Sequence, residues 1–290
     1  MGVRNRLKTN SKEFFDDAAR KYNSFSVLVP GASRFRNLVL DRAMRKTLTP
    51  VLKRFNKLTI LEVGCGVGRW TKIMSEDNSV IGVDISRFMV GLAKDSCIGK
   101  DCSLVVADVA FLPFRRNIFD LAVSITVLQH ILREQKFLMA LQEISRCTKS
   151  KAVIAEEMWS AQEVMLKGAY CPIRILPLAS YLKSMLAAGF HTIQVSGITP
   201  APLAILITRF LASKTDTVEG SLGFRFRSSK IGSRLLHSIM GLGAISAILL
   251  PSGDYNPSLS LHTILVAEKK RERVFSQDCT EKTSSISQGA

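Results

Sequence analysis

Apolar residues near the N-terminus recur at helical spacing. Phe14, Phe15, Ala18, Ala19 and Tyr22 form one set, and Leu38, Leu40, Met44, Leu48 and Leu52 a second. Residues 11–57 therefore read as helical, divided into two parts by Pro30-Gly31. From residue 58 the pattern changes to short, continuous apolar runs that stop at a glycine or an acid. Residues 58–63, 80–83, 104–107, 119–125 and 152–155 are five such runs. Runs of this length without alternation suit strands buried on both faces. Between them, residues 70–76, 88–94 and 137–147 carry helical periodicity. Strand–helix alternation predicts βαβ units and a parallel sheet, an α/β fold.

The pattern loosens toward the C-terminus. Residues 178–188 read as a helix stopped by Gly189, 192–195 as a sixth strand and 261–267 as a seventh. Residues 197–259 separate these two strands by far more than an ordinary loop. They are apolar and glycine-rich with a basic middle (Arg225, Arg227, Lys230, Arg234), and read as an inserted helical subdomain. The most apolar stretch, 235–251, contains His237 and falls short of the roughly 20 apolar residues that span a bilayer. A buried or membrane-surface helix is the expectation there. Residues 269–290 are polar and read as a disordered tail. The organisation is thus a basic helical segment over 1–57, a main domain over 58–268 containing the 197–259 insertion, and the tail. Residues 1–13 lack the apolar centre of a secretory leader.

Composition sharpens this picture at three points. A 290-residue chain that is 47% hydrophobic and 22% charged has enough apolar surface for a proper core, which excludes a disordered protein. The net charge is +16, and residues 1–57 contribute +10 of it. Such a segment is either a solvated face or a contact for an anionic partner: a membrane surface, nucleic acid or an acidic substrate. The six cysteines contain no CxxC pair and no zinc-like spacing with histidine, so free thiols and no bound metal are expected.

The strongest chemical signal is Leu61-Glu62-Val63-Gly64-Cys65-Gly66-Val67-Gly68, a strand entering a glycine-rich turn before a helix. Glycines let the backbone approach a ligand closely, and a helix start offers free N–H groups. A dinucleotide fingerprint would need a third glycine at position 69, which is Arg69. That spacing argues against a nicotinamide dehydrogenase. The ExGxGxG pattern resembles motif I of the class I S-adenosylmethionine (SAM)-dependent methyltransferases. The resemblance covers roughly residues 58–158 and extends more weakly to 268.

The resemblance implies SAM as cofactor and a Rossmann-like, seven-stranded mixed sheet in the order 3-2-1-4-5-7-6 with the seventh strand antiparallel. It assigns Glu62, Gly64, Cys65, Gly66 and Gly68 to the cofactor loop. Asp84, ending strand two, would hold both ribose hydroxyls, with Ile85 beside it. Asp108, ending strand three, would accept from the adenine amino group, with the Val109 N–H adjacent. Ser124 on strand four completes the implied cofactor set. Asp84 and Asp108 equally suit turn or cap positions, roles compatible with binding. Arg69 either touches the cofactor carboxylate or faces solvent.

Leu128-Gln129-His130 resembles a segment that small-molecule methyltransferases carry beside the cofactor. His130 is the candidate general base, since an imidazole titrates near working pH and O-methylation releases a proton. The other reading is that His130 packs structurally or orients substrate. Glu156 and Glu157 read either as ligands for substrate or a cation or as a solvated turn, and the turn is the favoured reading. His191, His237 and His262 lie in apolar runs and read as packed or surface residues. Segments 157–177 and 197–259 should cover the methyl group, because ligands of open α/β sheets lie beyond the carboxyl ends of the strands. An apolar cover with a basic rim suits a small-molecule or amphiphilic, lipid-like acceptor such as a quinone, an isoprenoid or a lipid-linked glycan. It also suits a cytoplasmic protein touching a membrane at its periphery. An RNA methyltransferase is the main alternative. The charge favours it, but Ser124-Ile125-Thr126-Val127 stands where amino-methylating nucleic-acid enzymes carry Asn/Asp-Pro-Pro-Tyr/Phe. A non-catalytic partner subunit is the second alternative.

Overall fold

The computed structural model describes residues 11–21, 34–158, 163–166, 171–198, 260 and 262–269. Most of the proposed insertion, the tail, the Pro30-Gly31 break, His237 and Cys279 lie outside the described residues. Two helices come first, α1 (Ser11–Lys21) and α2 (Arg34–Leu52). Strands β1 (Thr59–Val63), β2 (Ser79–Asp84) and β3 (Cys102–Val106) follow, separated by α3 (Thr71–Met74) and α4 (Arg87–Ala93). Then come β4 (Phe119–Ile125), α5 (Glu134–Cys147) and β5 (Thr148–Glu157). A short hairpin of β6 (Val164–Leu166) and β7 (Ile173–Ile175) precedes α6 (Leu178–Ala187), β8 (Phe190–Gly197) and β9 (His262–Lys269).

Seven of these strands make one sheet in the order β3-β2-β1-β4-β5-β9-β8. Counted within that sheet, β8 is the sixth strand and β9 the seventh, so the order is the expected 3-2-1-4-5-7-6. The first five strands are parallel, and β9 runs antiparallel to both β5 and β8. The hairpin β6–β7 forms a separate two-stranded sheet within a region that sequence periodicity leaves irregular. Three-residue strands are too short to show alternation.

Continuous apolar runs form central strands because both faces are covered. Leu61, Val63, Ala122, Ala152, Ile154 and Leu265 pack against Phe137, Ala140, Leu141 and Ile144 of α5 and Tyr181 and Met185 of α6. Their neighbours Ile60, Val80, Leu121, Val123, Val153 and Ile264 face the other way, onto Met44, Leu48 and Leu52 of α2 and Trp70 and Met74 beside the glycine turn. Burying each large aliphatic side chain contributes about 1.5–3 kcal/mol. Helix α2 is thus one wall of the sheet's core.

One expectation about the cysteines is corrected. Cys97 and Cys102 are joined as a disulfide with their Cα atoms 5.2 Å apart, while Cys65, Cys147 and Cys171 are free and buried. The 3-10 turn Lys94–Cys97 folds the chain back into β3 and brings the two together, a proximity that spacing alone does not reveal. Among the described residues, no helix is long and apolar enough to cross a membrane.

Candidate active site

The chain leaves β1 through three left-handed glycines, Gly64, Gly66 and Gly68, at φ +70°, +54° and +79°. Side chains rarely tolerate that region. The amides of Gly64 and Cys65 both donate to the Val83 carbonyl, at 2.7 and 2.9 Å, which folds the turn over the end of β2. The three glycines serve different neighbours. A Cβ on Gly64 would lie 2.3 Å from Val127, and one on Gly68 would lie 2.5 Å from the Ser96 hydroxyl. A Cβ on Gly66 would meet nothing within 4 Å among the described residues. Gly64 and Gly68 admit the protein's own side chains, whereas Gly66 faces open space.

Asp84 closes this cradle. One carboxylate oxygen accepts the Gly66 N–H at 2.9 Å and the other accepts the Ser86 N–H at 2.8 Å. Burial raises the carboxyl's pKa, against the pull of the Ser86, Gly66 and Ile85 amides. A carboxylate has about four acceptor sites, so one is left for a ligand hydroxyl beside these three amides. Ile85 follows, half-buried, and Ser86 caps α4 by accepting the Met89 N–H at 3.2 Å.

Asp108 occupies a turn, where one oxygen accepts the Ala110 N–H at 3.0 Å. Its other oxygen pairs with Lys136 of α5 at 2.5 Å, a partner that sequence spacing does not disclose. Val109 beside it packs against the main core.

Beneath the turn, Glu62 is buried and accepts a hydrogen bond from the Thr71 hydroxyl. Burial pushes its carboxyl up to about 8, with Thr71 and Arg69 acting in the other direction. Arg69 is not a solvent-facing residue. Its guanidinium pairs with Asp41 of α2 at 3.0 Å and lies over the Trp70 ring, and burial lowers its pKa to about 10. Burial also pushes the Cys65 thiol well up, so this cysteine is an apolar filler of the turn. Ser124, in register with Val63 at the end of β4, is buried, and its hydroxyl has no partner among the described residues.

After β4, a 3-10 turn (Leu128–His130) carries the candidate base. The His130 ring hydrogen-bonds the Pro172 carbonyl, and its Nδ1 is buried with no partner among the described residues. By elimination the proton sits on Nε2, which leaves a lone pair on Nδ1. The expectation that His130 titrates near working pH is corrected. Burial lowers its pKa to about 4, so the ring is neutral throughout the physiological range.

Glu156 and Glu157 also depart from expectation, since neither lies in a solvated turn. Both end β5 and are buried. Glu156 accepts the amides of Val127 and Leu128 at 2.9 Å and of Gln129 at 3.3 Å, and burial pushes it up to about 8. Glu157 lies 3.8 Å from His262, whose pKa burial lowers to about 4. His191 is exposed and faces Glu268 at 4.0 Å.

Helix α1 bridges the two walls of the site, which periodicity does not predict. Ser11 donates to the His130 carbonyl at 2.8 Å, and the Phe15 ring meets the imidazole edge to face at 5.0 Å. On the opposite wall, Asp16 accepts from the Ser86 hydroxyl at 2.5 Å. The only sequence signal is an acid on the same face as buried alanines. Among the described residues, no group of three or more His, Cys, Asp or Glu converges to hold a metal.

Residues 60–151 match the sequence profile of a family described as a methyltransferase domain. These residues form a class I SAM-dependent methyltransferase domain. A tRNA (carboxymethyluridine(34)-5-O)-methyltransferase of Arabidopsis thaliana is 24% identical over 182 residues, covering 54% of this chain and 44% of the relative. A malonyl-[acyl-carrier protein] O-methyltransferase of Buchnera aphidicola is 31% identical over 148 residues, covering 51% of this chain and 53% of the relative. The chain thus spans about half the length of these curated relatives. The fold is shared with the magnesium protoporphyrin IX methyltransferase of Synechocystis, solved with SAM, at a TM-score of 0.54 and 14% identity, covering 89% of this chain and 94% of that one.

The residues of the methyltransferase domain fit SAM. Gly66 offers backbone without a side chain in front of it. Asp84 keeps acceptor capacity beyond its backbone amides. Asp84 and Asp108 place acceptor oxygens beyond the carboxyl ends of β2 and β3, which suits a ligand carrying several hydrogen-bond donors.

Proposed function

We propose that the protein transfers the methyl group of SAM to an oxygen atom of a small-molecule or amphiphilic, lipid-like acceptor, with His130 taking the proton. The observation that carries this is the unpartnered Nδ1 of His130, on a turn whose Val127 packs against Gly64 of the cofactor loop. SAM, when bound, supplies an electrophilic methyl group on a positively charged sulfur. The chain's own residues do the rest. Gly66 and Asp84 would hold the adenosyl end, while Phe15 of α1 packs edge to face against the imidazole and Ser11 ties its backbone. His130 Nδ1 would take the proton that the acceptor's hydroxyl gives up on methylation. No covalent enzyme intermediate is required, so positioning supplies much of the rate.

Oxygen as the methylated atom is supported by the names of both relatives above, each of which specifies it. The amphiphilic acceptor is supported by the composition of 197–259, most of which lies outside the described residues. The same composition and the basic N-terminal segment support contact with a membrane surface from the cytoplasm.

A tRNA acceptor is the second reading, favoured by the net charge of +16 and by the tRNA-modifying relative. Incubating the protein with methyl-labelled SAM and lipid, metabolite and RNA fractions of its own cell separates the two. Label in the lipid or metabolite fraction is the expected result, and label confined to RNA would replace the first reading with the second.

A further inference from the structure

We propose that Glu156 is the positioning residue for His130: its carboxyl group gathers three consecutive backbone amides and thereby fixes the turn that presents the imidazole. This rests on reading His130 as part of the transfer site, although its geometry stands independently.

The side chain is fully buried at the end of β5, and among the described residues no cation pairs with it. Its donors are the N–H groups of Val127, Leu128 and Gln129, at 2.9, 2.9 and 3.3 Å. These are the amides that a short helical turn leaves without internal partners at its start. A second tie runs the other way, from the Glu157 N–H to the Gln129 side-chain oxygen at 3.3 Å. The turn is thus clamped to β5 along its whole length. The titratable groups facing Glu156 are Glu157 beside it and Tyr181 from α6.

The clamped turn has two functional ends. At one, Val127 occupies the space that Gly64 leaves by having no side chain. At the other, the His130 N–H bonds back to the Val127 carbonyl at 3.0 Å, so the imidazole rides on the same turn. Releasing the amides would therefore move the base relative to the cofactor loop. An oxygen is needed at both positions, because a carboxyl oxygen can accept an amide whether or not the group holds its proton. In a glutamine of the same bulk, the amide NH2 would oppose a backbone N–H and leave it unpaired inside the protein.

The test is nitrogen NMR of the full chain labelled at histidine, comparing wild type with Glu156→Gln and Glu156→Asp. In wild type, His130 should show a single Nε2–H tautomer and remain neutral until about pH 4. In Glu156→Gln the tautomers should mix, and the midpoint should climb by about one pH unit or more toward the ordinary histidine value. His191, on β8 and facing Glu268, serves as the control and should keep its wild-type signals. An unchanged His130 signature would overturn the proposal, and so would equal changes of His130 and His191, which would mean general loosening. If the glutamine variant does not fold, the aspartate variant decides, because withdrawing the carboxyl group by one methylene should move His130 in the same direction by a smaller amount. Failure of the broader reading looks different. There, His130→Ala would retain full methyl transfer while the Glu156 variants still shift the imidazole.

Discussion

Gly64 and Gly66 share a backbone conformation but not a neighbourhood, and alanine separates them. Any side chain in the left-handed region costs about 1–2 kcal/mol. Gly64→Ala adds a clash with Val127 at 2.3 Å, an overpacking cost of about 1–3 kcal/mol. Gly66→Ala meets no atom of the described residues, so urea unfolding should show a much smaller loss of stability for it. Its defect should appear instead as weakened S-adenosylhomocysteine binding by calorimetry. Asp84→Ala should cost about 1–3 kcal/mol of cofactor affinity, since it removes charged acceptors from the site and also frees the Gly66 amide. An unchanged dissociation constant would contradict the ribose assignment. For His130, a base must be unprotonated to work, and burial holds its pKa at about 4. Methyl transfer should therefore be lost only as pH falls toward 4, not through the ordinary histidine range. His130→Ala should lower turnover by about 10²-fold or more if the ring moves the proton, and near-normal turnover would leave it a structural role.

At the scale of elements, α1 and α4 meet through one serine. Ser86 caps α4 through Met89 and bonds Asp16 of α1. Ser86→Ala should lose about 1 kcal/mol for the cap and about 1–3 kcal/mol more for a buried carboxylate left short of a donor. Hydrogen exchange should show α1 opening before the sheet does, and simultaneous opening would argue against this coupling. The main strands and helices were legible in the sequence because each writes its period locally. What was not legible depends on distance along the chain. Glu156 looked like a turn acid because its three amide partners lie 27–29 residues away, and β5 was expected to end with its apolar run at Ala155 although pairing with β9 carries it to Glu157. Asp41 with Arg69 and Lys136 with Asp108 are each 28 residues apart, and no periodicity predicts either pair. The glycine turn was legible for the opposite reason, since its whole function is local backbone geometry.

Across the whole molecule, buried titratable groups set a pH profile for stability. Glu62 and Glu156 have folded pKa values of about 8, raised from 4.5, so the folded state holds protons that the unfolded state has released. Their contribution is fully present below pH 4.5 and is lost as pH rises through 8. His130 and His262 have folded values of about 4, lowered from 6.5, so their contribution is present above 6.5 and is lost as pH falls through 4. The two pairs oppose each other between 4.5 and 6.5. The melting temperature should be nearly flat there, falling on the acid side and again between pH 6.5 and 8. A continuous rise from pH 6.5 to 8 would show that the buried glutamates are ionised. The position of β9 carries a different consequence. It lies inside the sheet between β5 and β8, yet it is supplied by residues 262–269. During synthesis the nascent chain must wait for this strand before either neighbour gains its partner. A ribosome stalled before residue 262 should therefore hold a protease-sensitive, half-closed sheet, even though every residue of the cofactor cradle has already been translated.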